Sequence, residues 1–387
     1  MGATPAVAVT MVAGARTAVQ PVDGELAGWN PVVLAGVVGR EVLERAGLDA
    51  DVLDEVVVGC CDPVGAAGAD VARAIVLAAG WPVSAGGSVI DRGETSGAAA
   101  VQAAVAAIRA GQARTVLVVG LGLCSVVPPG AAALNRTYGA PWGGVAERFE
   151  EVGGLLPAPR LSERAAQAAG IDRAELDAAA EESRRRRSEV ETSPAIVAVA
   201  ARPGDSARRG VYRGDPVAAD VVRDWGDAAE LPPAFDDDGL LTAATFAPPA
   251  DCVSAVLLQA GEAPASGGTA TVAGMGRAAG DPFDPVGNVA VAVGRALGDA
   301  GVELAAVDGI SVVEHDAATA LLVARSLDID AERINRGGGA VATGNAGAAE
   351  ELRVITDGLA VTGGQRLLLT ISAGPTGSAA IVWQKDI

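Results

Sequence analysis

Aromatic side chains are scarce: Phe, Trp and Tyr together make up 3% of the 387 residues, although half of the chain is hydrophobic. The core must therefore be aliphatic, built from Ala, Val and Leu. Four cysteines in a chain of this length do not make a disulfide framework, which points to a reducing, cytosolic setting. With a single histidine and no cysteine at metal-ligand spacing from it, no metal site is expected. No uncharged apolar run reaches the roughly eighteen residues of a membrane span. The apolar opening Ala6–Ala13 is short, has no basic flank before it and leads into Arg16, so it reads as a first strand rather than a signal peptide.

Acid is what the chain has in excess. Its 48 Asp and Glu against 29 Lys and Arg give a net charge of −19. That charge argues against nucleic acid or an anionic membrane as a general partner, and any anionic ligand then needs a local basic patch. The length suits two packed α/β units, and 51 glycines suggest tight turns and close helix packing.

The chain repeats itself. Val33–Gly59 and Gly287–Val313 both read helix, turn, strand, with Val-Gly-Arg inside the helix and Ala-Gly closing it. A short second turn follows, then an Asp ahead of a Val/Ile strand. Glycine after a last helical turn is a stop signal, and β-branched runs favour strands. Gly97–Gly120 and Gly347–Ala373 form a second pair: helix, glycine turn, buried strand. Continuous apolar strands such as Val116–Val119 and Leu367–Ile371 fit a sheet covered on both faces, and strand–helix alternation predicts a largely parallel sheet. The expected fold is α/β, two similar halves stacked as a layered sandwich. Residues 1–120, completed by 250–262, form the first half, and 263–387 form the second. Between them 121–249 is an insertion of different texture, with Pro/Gly-rich stretches, the helix Ala174–Glu191 and the polar loop Ala201–Asp215. Ligand specificity usually lives in such an insertion on a rigid scaffold.

Several segments resemble the thiolases, the acyl-CoA C-acyltransferases, over essentially the whole chain: GARTAV at 14–19, DEVVVGC at 54–60, AGWPV at 79–83, SERAAQAAGIDRAELDAAAEESRRR from Ser162 and LPPAFDDDGLLTAAT from Leu231. The HDAAT segment, His315–Thr319, is most similar to the sterol-carrier branch, which places His where other members have Asn. The resemblance implies a five-layered αβαβα sandwich, a CoA-type thioester ligand between the halves, and an inserted loop domain over the pantetheine.

The family's chemical residues are replaced. Its nucleophile elbow N-R-x-C-G-S-G corresponds to Asp91–Gly97, with Glu94 in the cysteine position. G-H-P-x-G-A-S-G corresponds to Gly344–Ala349, one residue shorter, with Asn345 for the histidine. The second cysteine corresponds to Ile371, and the CoA-touching serine to Ala247. Acyl transfer requires a thiolate, and a carboxylate attacking a thioester would give a mixed anhydride with no evident driving force. A conventional acetyl-CoA acetyltransferase is therefore not expected.

Each candidate has a plain and a functional reading. Glu94 heads a helix, where the dipole favours negative charge, or it is a general base against an acyl α-carbon. His315 is a hydrogen-bonded structural group or, by the resemblance, orients an oxyanion-hole water. Asn345 offers an amide donor for such a site. Arg184 begins a run of four arginines, Arg184–Arg187, that points around the whole helix and so reads first as a solvated face, second as a contact for CoA phosphates. Gly374 and Gly377, with Gly337–Gly339, resemble the family's active-site loops, and the four cysteines read as buried structural groups. Two functions follow. The first is a non-catalytic or partner subunit in an acyl-thioester pathway, a homodimer or a heteromer with an active thiolase-fold paralogue, joined at the sheet edge around Ser88–Arg92. The second is an enzyme doing non-covalent retro-aldol, decarboxylation or condensation chemistry with Glu94, His315 and Asn345. The ligand is an acyl-CoA or a carrier-bound acyl thioester, with no resident cofactor.

Overall fold

The computed structural model describes residues 7–134, 139, 147, 150, 156–201, 216–262, 269–361 and 366–385. All but the first residue of the polar loop Ala201–Asp215 lies outside them. The chain opens with β1 (Val9–Arg16), α1 (Pro31–Ala46), β2 (Glu55–Cys60), α2 (Val71–Ala78), β3 (Gly86–Ile90), α3 (Ser96–Arg109) and β4 (Thr115–Leu123). The insertion contributes α4 (Ala158–Ala168) and α5 (Arg173–Glu189). There follow β5 (Ala250–Ala260), β6 (Ala270–Ala278), α6 (Val289–Ala300), β7 (Gly309–Val312), α7 (Ala317–Ser326), α8 (Ala348–Val361), β8 (Leu367–Gly374) and β9 (Gly377–Lys385).

The internal repeat extends to individual hydrogen bonds. α1 and α6 close on Gly47 and Gly301, both left-handed at φ +65° and +67°, a conformation glycine adopts without a Cβ clash. Each is followed by one 3₁₀ turn, Ala50–Val52 and Leu304–Ala306. The aspartates that precede the strands do equivalent work. Asp54 Oδ2 accepts from the Arg114 and Thr115 amides at 2.7 and 2.9 Å. Asp308 Oδ2 accepts from the Arg366 and Leu367 amides at 2.8 and 2.9 Å. In each half an Asp thus ties the start of one strand to the start of its neighbour.

The strand order is β7-β8-β9-β6-β1-β5-β4-β2-β3, with the two-residue strand Gln20–Pro21 also pairing β5. Among the described residues two pairs, Thr10 with Thr271 and Met11 with Ala270, join the two half-sheets. Alternate residues of each half face opposite layers. Val56 and Val58 pack outward under Leu34, Val38 and Val42 of α1 and Ile75 of α2. Ile310, Leu369 and Val382 face Val289 and Val293 of α6 and Leu322 and Val323 of α7. Between the half-sheets, Val101, Val105 and Ile108 of α3 and Leu352, Ile355 and Leu359 of α8 share one core with Val57, Val116, Ile381 and Trp383. The result is the five-layered αβαβα sandwich, each fully buried large aliphatic contributing about 1.5–3 kcal/mol.

The sheet is mixed rather than largely parallel. β2 runs parallel to β3 and β4, and β7 to β8, as their helical crossovers require. β5 runs against both β1 and β4, and β9 runs against β8 and β6. A continuous apolar strand looks the same in either direction, and here the long insertion and the β8–β9 hairpin reverse the chain.

A buried ion cluster ties the first strand to the insertion and to the central helix. Arg16, at the end of β1 and fully buried, uses all five of its N–H donors: on Asp357 at 3.0 and 3.0 Å, on Asp220 at 2.7 and 2.9 Å, and on the Thr17 carbonyl at 3.0 Å. Arg187 also donates to Asp220, and Arg353 to Asp357 and Glu350. Three arginines thus meet three carboxylates. Substituting Arg16→Met should cost about 3–5 kcal/mol, because it leaves two buried carboxylates short of a partner. Urea unfolding of the full chain measures this, and a loss below 1 kcal/mol would make the cluster incidental.

Candidate functional site

The elbow between β3 and α3 is built by short polar contacts. Asp91 Oδ1 accepts from the Gly93 amide at 3.0 Å, and Gly93 turns the chain at φ +53°. Ser96 Oγ accepts from the Arg92 amide at 2.8 Å and donates to the Gly93 carbonyl at 2.7 Å. This presents Glu94, half-buried, to the tip of the β8–β9 hairpin. There the Thr376 hydroxyl lies 2.9 Å from Glu94 Oε2 and 3.0 Å from the Arg92 carbonyl, so its one proton serves either acceptor. Gly374 must be glycine here: a Cβ on it would come within 2.8 Å of the Glu94 Cβ.

His315 and Asn345 sit together on the other side of the β8 end. His315 Nε2 is 3.0 Å from the Ala373 carbonyl, which makes Nε2 the protonated nitrogen and leaves Nδ1 to accept. Asn345 Nδ2 faces that Nδ1 at 3.4 Å and donates to the Glu314 carbonyl at 2.8 Å. Its Oδ1 accepts from the Gly347 amide at 2.8 Å. The donors of the pair are thus directed at the protein's own acceptors. Ala373 touches His315 and Gly374 touches Glu94, so the three candidates ring the end of one strand.

The remaining expected residues fall around this ring. Ala247 is buried and its amide donates to the His315 carbonyl at 3.0 Å, which lays the Thr242–Pro249 segment along the base of α7. Beside it Phe246 meets Phe235 edge-to-face at 6.1 Å, and the Arg160 guanidinium lies 5.9 Å from the Phe235 ring centre. Arg184 donates to the Ala244 carbonyl at 2.7 Å. The other three arginines diverge: Arg185 to Glu182 and Glu189, Arg186 to Glu182 and the Ile334 carbonyl, Arg187 to Asp220. Gly377 makes the hairpin turn at φ +134°. Ile371 is fully buried between Val312 and Ala380 and has no proton to move.

Among the described residues, two surface recesses lie elsewhere: one is lined by Arg187, Asn335 and Arg353, and the other runs along α5 past Arg185 and Arg186. Among the described residues no cluster of His, Cys, Asp and Glu is arranged to hold a metal ion.

One cysteine departs from expectation. Cys60, Cys124 and Cys252 are buried, but Cys61 is only half-buried, because it lies past the end of β2 against the elbow. Its thiol donates to the Gly93 carbonyl at 3.2 Å. Burial, with Glu351 adding its charge, pushes its pKa well above the ordinary value, so this sulfur stays a thiol at neutral pH. Sequence reasoning also passed over Thr376 and three buried carboxyls, Glu314, Asp316 and Glu351. Asp316 caps α7 through the Thr319 amide at 3.0 Å, and Glu314 accepts from Asn335 Nδ2 at 2.6 Å. The only sequence signal for them was acid placed at helix starts, which usually faces solvent.

Comparison with known proteins follows the same outline. Residues 9–262 match the family model described as Thiolase, N-terminal domain, and residues 268–385 match Thiolase, C-terminal domain. An acetyl-CoA acetyltransferase of Pseudomonas aeruginosa is 31% identical over 373 residues, covering 90% of this chain and 91% of that protein. One of Escherichia coli is 28% identical over 359 residues, covering 89% and 90%. The structure of acetyl-CoA acetyltransferase from Syntrophomonas wolfei superposes with a TM-score of 0.83 at 25% identity, over 99% of this chain and 100% of that one. Human mitochondrial 3-ketoacyl-CoA thiolase in complex with CoA shares the fold, with a TM-score of 0.84 at 22% identity over 98% of each chain.

The buried carboxyls give the fold a pH dependence. Burial raises Glu351 to about 8, Glu314 to about 7 and Asp316 to about 6, whereas unfolded carboxyls titrate near 4. Between those values the folded chain holds more protons than the unfolded one, so this stability is present in mild acid and is lost as pH rises through about 6 to 8. Asp220 and Asp357 act oppositely: both are held below the ordinary carboxylate range, mainly by Arg16 against the cost of burial, so their contribution is lost only in stronger acid. Calorimetric melting should therefore show Tm falling from pH 5 to pH 8.5; a Tm that rises across that range contradicts the assignment.

Proposed function

Because the chain belongs to the thiolase family across both its N- and C-terminal domains, we propose that it is a non-acylating member, a thiolase-fold subunit that works in an acyl-thioester pathway without forming an acyl-enzyme. The observation that carries this reading is the chemistry at the elbow. By the motif resemblance Glu94 takes the nucleophile's position, and the nearby sulfur, Cys61, is turned onto the Gly93 carbonyl with its proton held. Ile371 is core, and His315 and Asn345 direct their donors at Ala373 and Glu314 rather than outward. Such a subunit acts through a partner, and the outer edge of β3 supports one: among the described residues β3 is a terminal strand of the sheet and pairs with β2 alone. A two-fold contact there joins a second copy or an active paralogue edge to edge.

One arrangement favours a second reading. Glu94 is half-exposed and oriented by Thr376, as a general base needs to be, so the site also suits non-covalent proton removal from an acyl thioester. In that chemistry His315 or Asn345 must release a backbone carbonyl to meet a developing oxyanion.

Intact-mass spectrometry after incubation with acetyl-CoA should show no acyl adduct. The mass in solution should be at least twice that of the 38.2 kDa chain when it pairs with itself, or that of the chain plus a paralogue when it pairs with one. An adduct, on Cys61 or elsewhere, sinks the non-acylating reading. A retro-aldol, decarboxylation or condensation assay decides between the two uses of Glu94: turnover lost at least a hundredfold in Glu94→Ala establishes the second, and no turnover in either protein leaves the first.

A further inference from the structure

The first turn of α3 is closed by a side chain from a distant part of the sequence. α3 is 14 residues long, and its N-cap residue Thr95 makes no side-chain capping bond. Instead the Gly97 amide donates to Oε2 of Glu351, 254 positions away on α8, and the Ala98 amide faces the same carboxyl. Gly97 is glycine for this reason: a Cβ there would meet Glu351 Oε2 at 2.7 Å and the Ala348 carbonyl at 2.5 Å. Glu351 is 2% exposed, and the Ser372 hydroxyl also faces its carboxyl within hydrogen-bonding reach.

The groups facing this carboxyl are Glu94 from the elbow, Cys61 from beyond β2 and Ser372 from β8. The ion pairs formed by α8 belong to its neighbours Glu350, Arg353 and Asp357. A carboxylate buried without a counter-charge, beside a second carboxyl, is strongly disfavoured. One helix N-terminus offsets that only in part.

We infer that Glu351 is the proton-holding positioning residue of the Glu94 site: it seats its carboxyl, in the acid form, on the first-turn amides of α3 directly behind Glu94 and closes that helix end to any anion of the ligand. An open helix N-terminus stabilises a thiolate, an enolate or a phosphate beside it. With Glu351 in place, Glu94 faces the ligand without that support. The role rests on Glu94 standing at the ligand end of the fold, as in the function proposed above. Burial raises Glu351 to about 8 against the hydrogen bonds from Ser372, Gly97 and Ala98, which favour the charged form, and Glu94 adds to the rise.

Infrared titration of the carboxyl C=O band tests the protonation directly, using the full chain, Glu351→Gln and Glu94→Gln. The wild type should keep a protonated-carboxyl component that disappears near pH 8, Glu351→Gln should lack it, and in Glu94→Gln it should titrate at lower pH. The same component surviving in Glu351→Gln, or its absence from the wild type above pH 7, overturns the inference. Thiol titration by alkylation tests the closed helix end. The thiol introduced by E94C should titrate no lower than an ordinary cysteine, and adding E351A should move its midpoint down by about one unit, a tenfold gain in thiolate at neutral pH. An unmoved midpoint also overturns it. Calorimetry with acetyl-CoA separates the two proposals: titrations as stated without binding remove only the ligand reading, whereas binding without those titrations removes only the role of Glu351.

Discussion

The three-arginine, three-carboxylate cluster around Arg16 is the constraint on which the placement of the other parts depends. Arg16 ends the first strand, Asp220 and Arg187 belong to the insertion, and Asp357, Arg353 and Glu350 lie along α8. No hydrophobic contact specifies position as narrowly as a guanidinium with every donor committed, because a dry arginine left half-paired costs several kcal/mol. The cluster thereby sets where α8 lies between the half-sheets. The residues on and just before α8 then follow: Asn345 reaches His315, and Glu351 reaches the end of α3. The ionic network and the candidate site thus share one helix, with structural charges along its length and the site at its N-terminal end.

The two halves are also joined weakly where strand meets strand and strongly where helix meets helix. Among the described residues two pairs link β1 to β6, while α3 and α8 fill a core to which both half-sheets contribute. The ends of these two helices are the natural place for a site between the halves, because groups from both repeats converge there without either sheet having to open. Glu94 comes from the first repeat, and His315, Asn345, Glu351 and Thr376 come from the second.

What was legible in the sequence follows from which features have a local cause. The helix–turn–strand repeat, its two cap glycines and the paired aspartates Asp54 and Asp308 were readable because a turn or cap is determined by a few adjacent residues. The four arginines could be expected to diverge because consecutive helical residues point in different directions. Strand direction was not legible, since a run such as that of β5 is apolar whichever way it runs. The grouping of Glu94, His315 and Asn345 came from resemblance alone, as they are 221 and 30 residues apart in turn. Glu351 had only the signal of acid at a helix start, which points the wrong way: two acids in a helical first turn, Glu350 and Glu351, ordinarily complement the dipole at the surface. Here the first pairs with Arg353 and the second turns onto another helix.

That last difference bears on how the family scaffold differs here. A nucleophile at an elbow depends on more than its own identity, since the amides behind it and the acids beside it set whether charge is tolerated there. In this chain those amides face Glu351, the hairpin tip carries Thr376 against Glu94, and the strand behind presents Ile371. The substitutions are mutually consistent: a carboxyl at position 94 suits a hydroxyl neighbour, and a second carboxyl takes the place that an anion would otherwise occupy. Such consistency is what a site shaped for a different task displays.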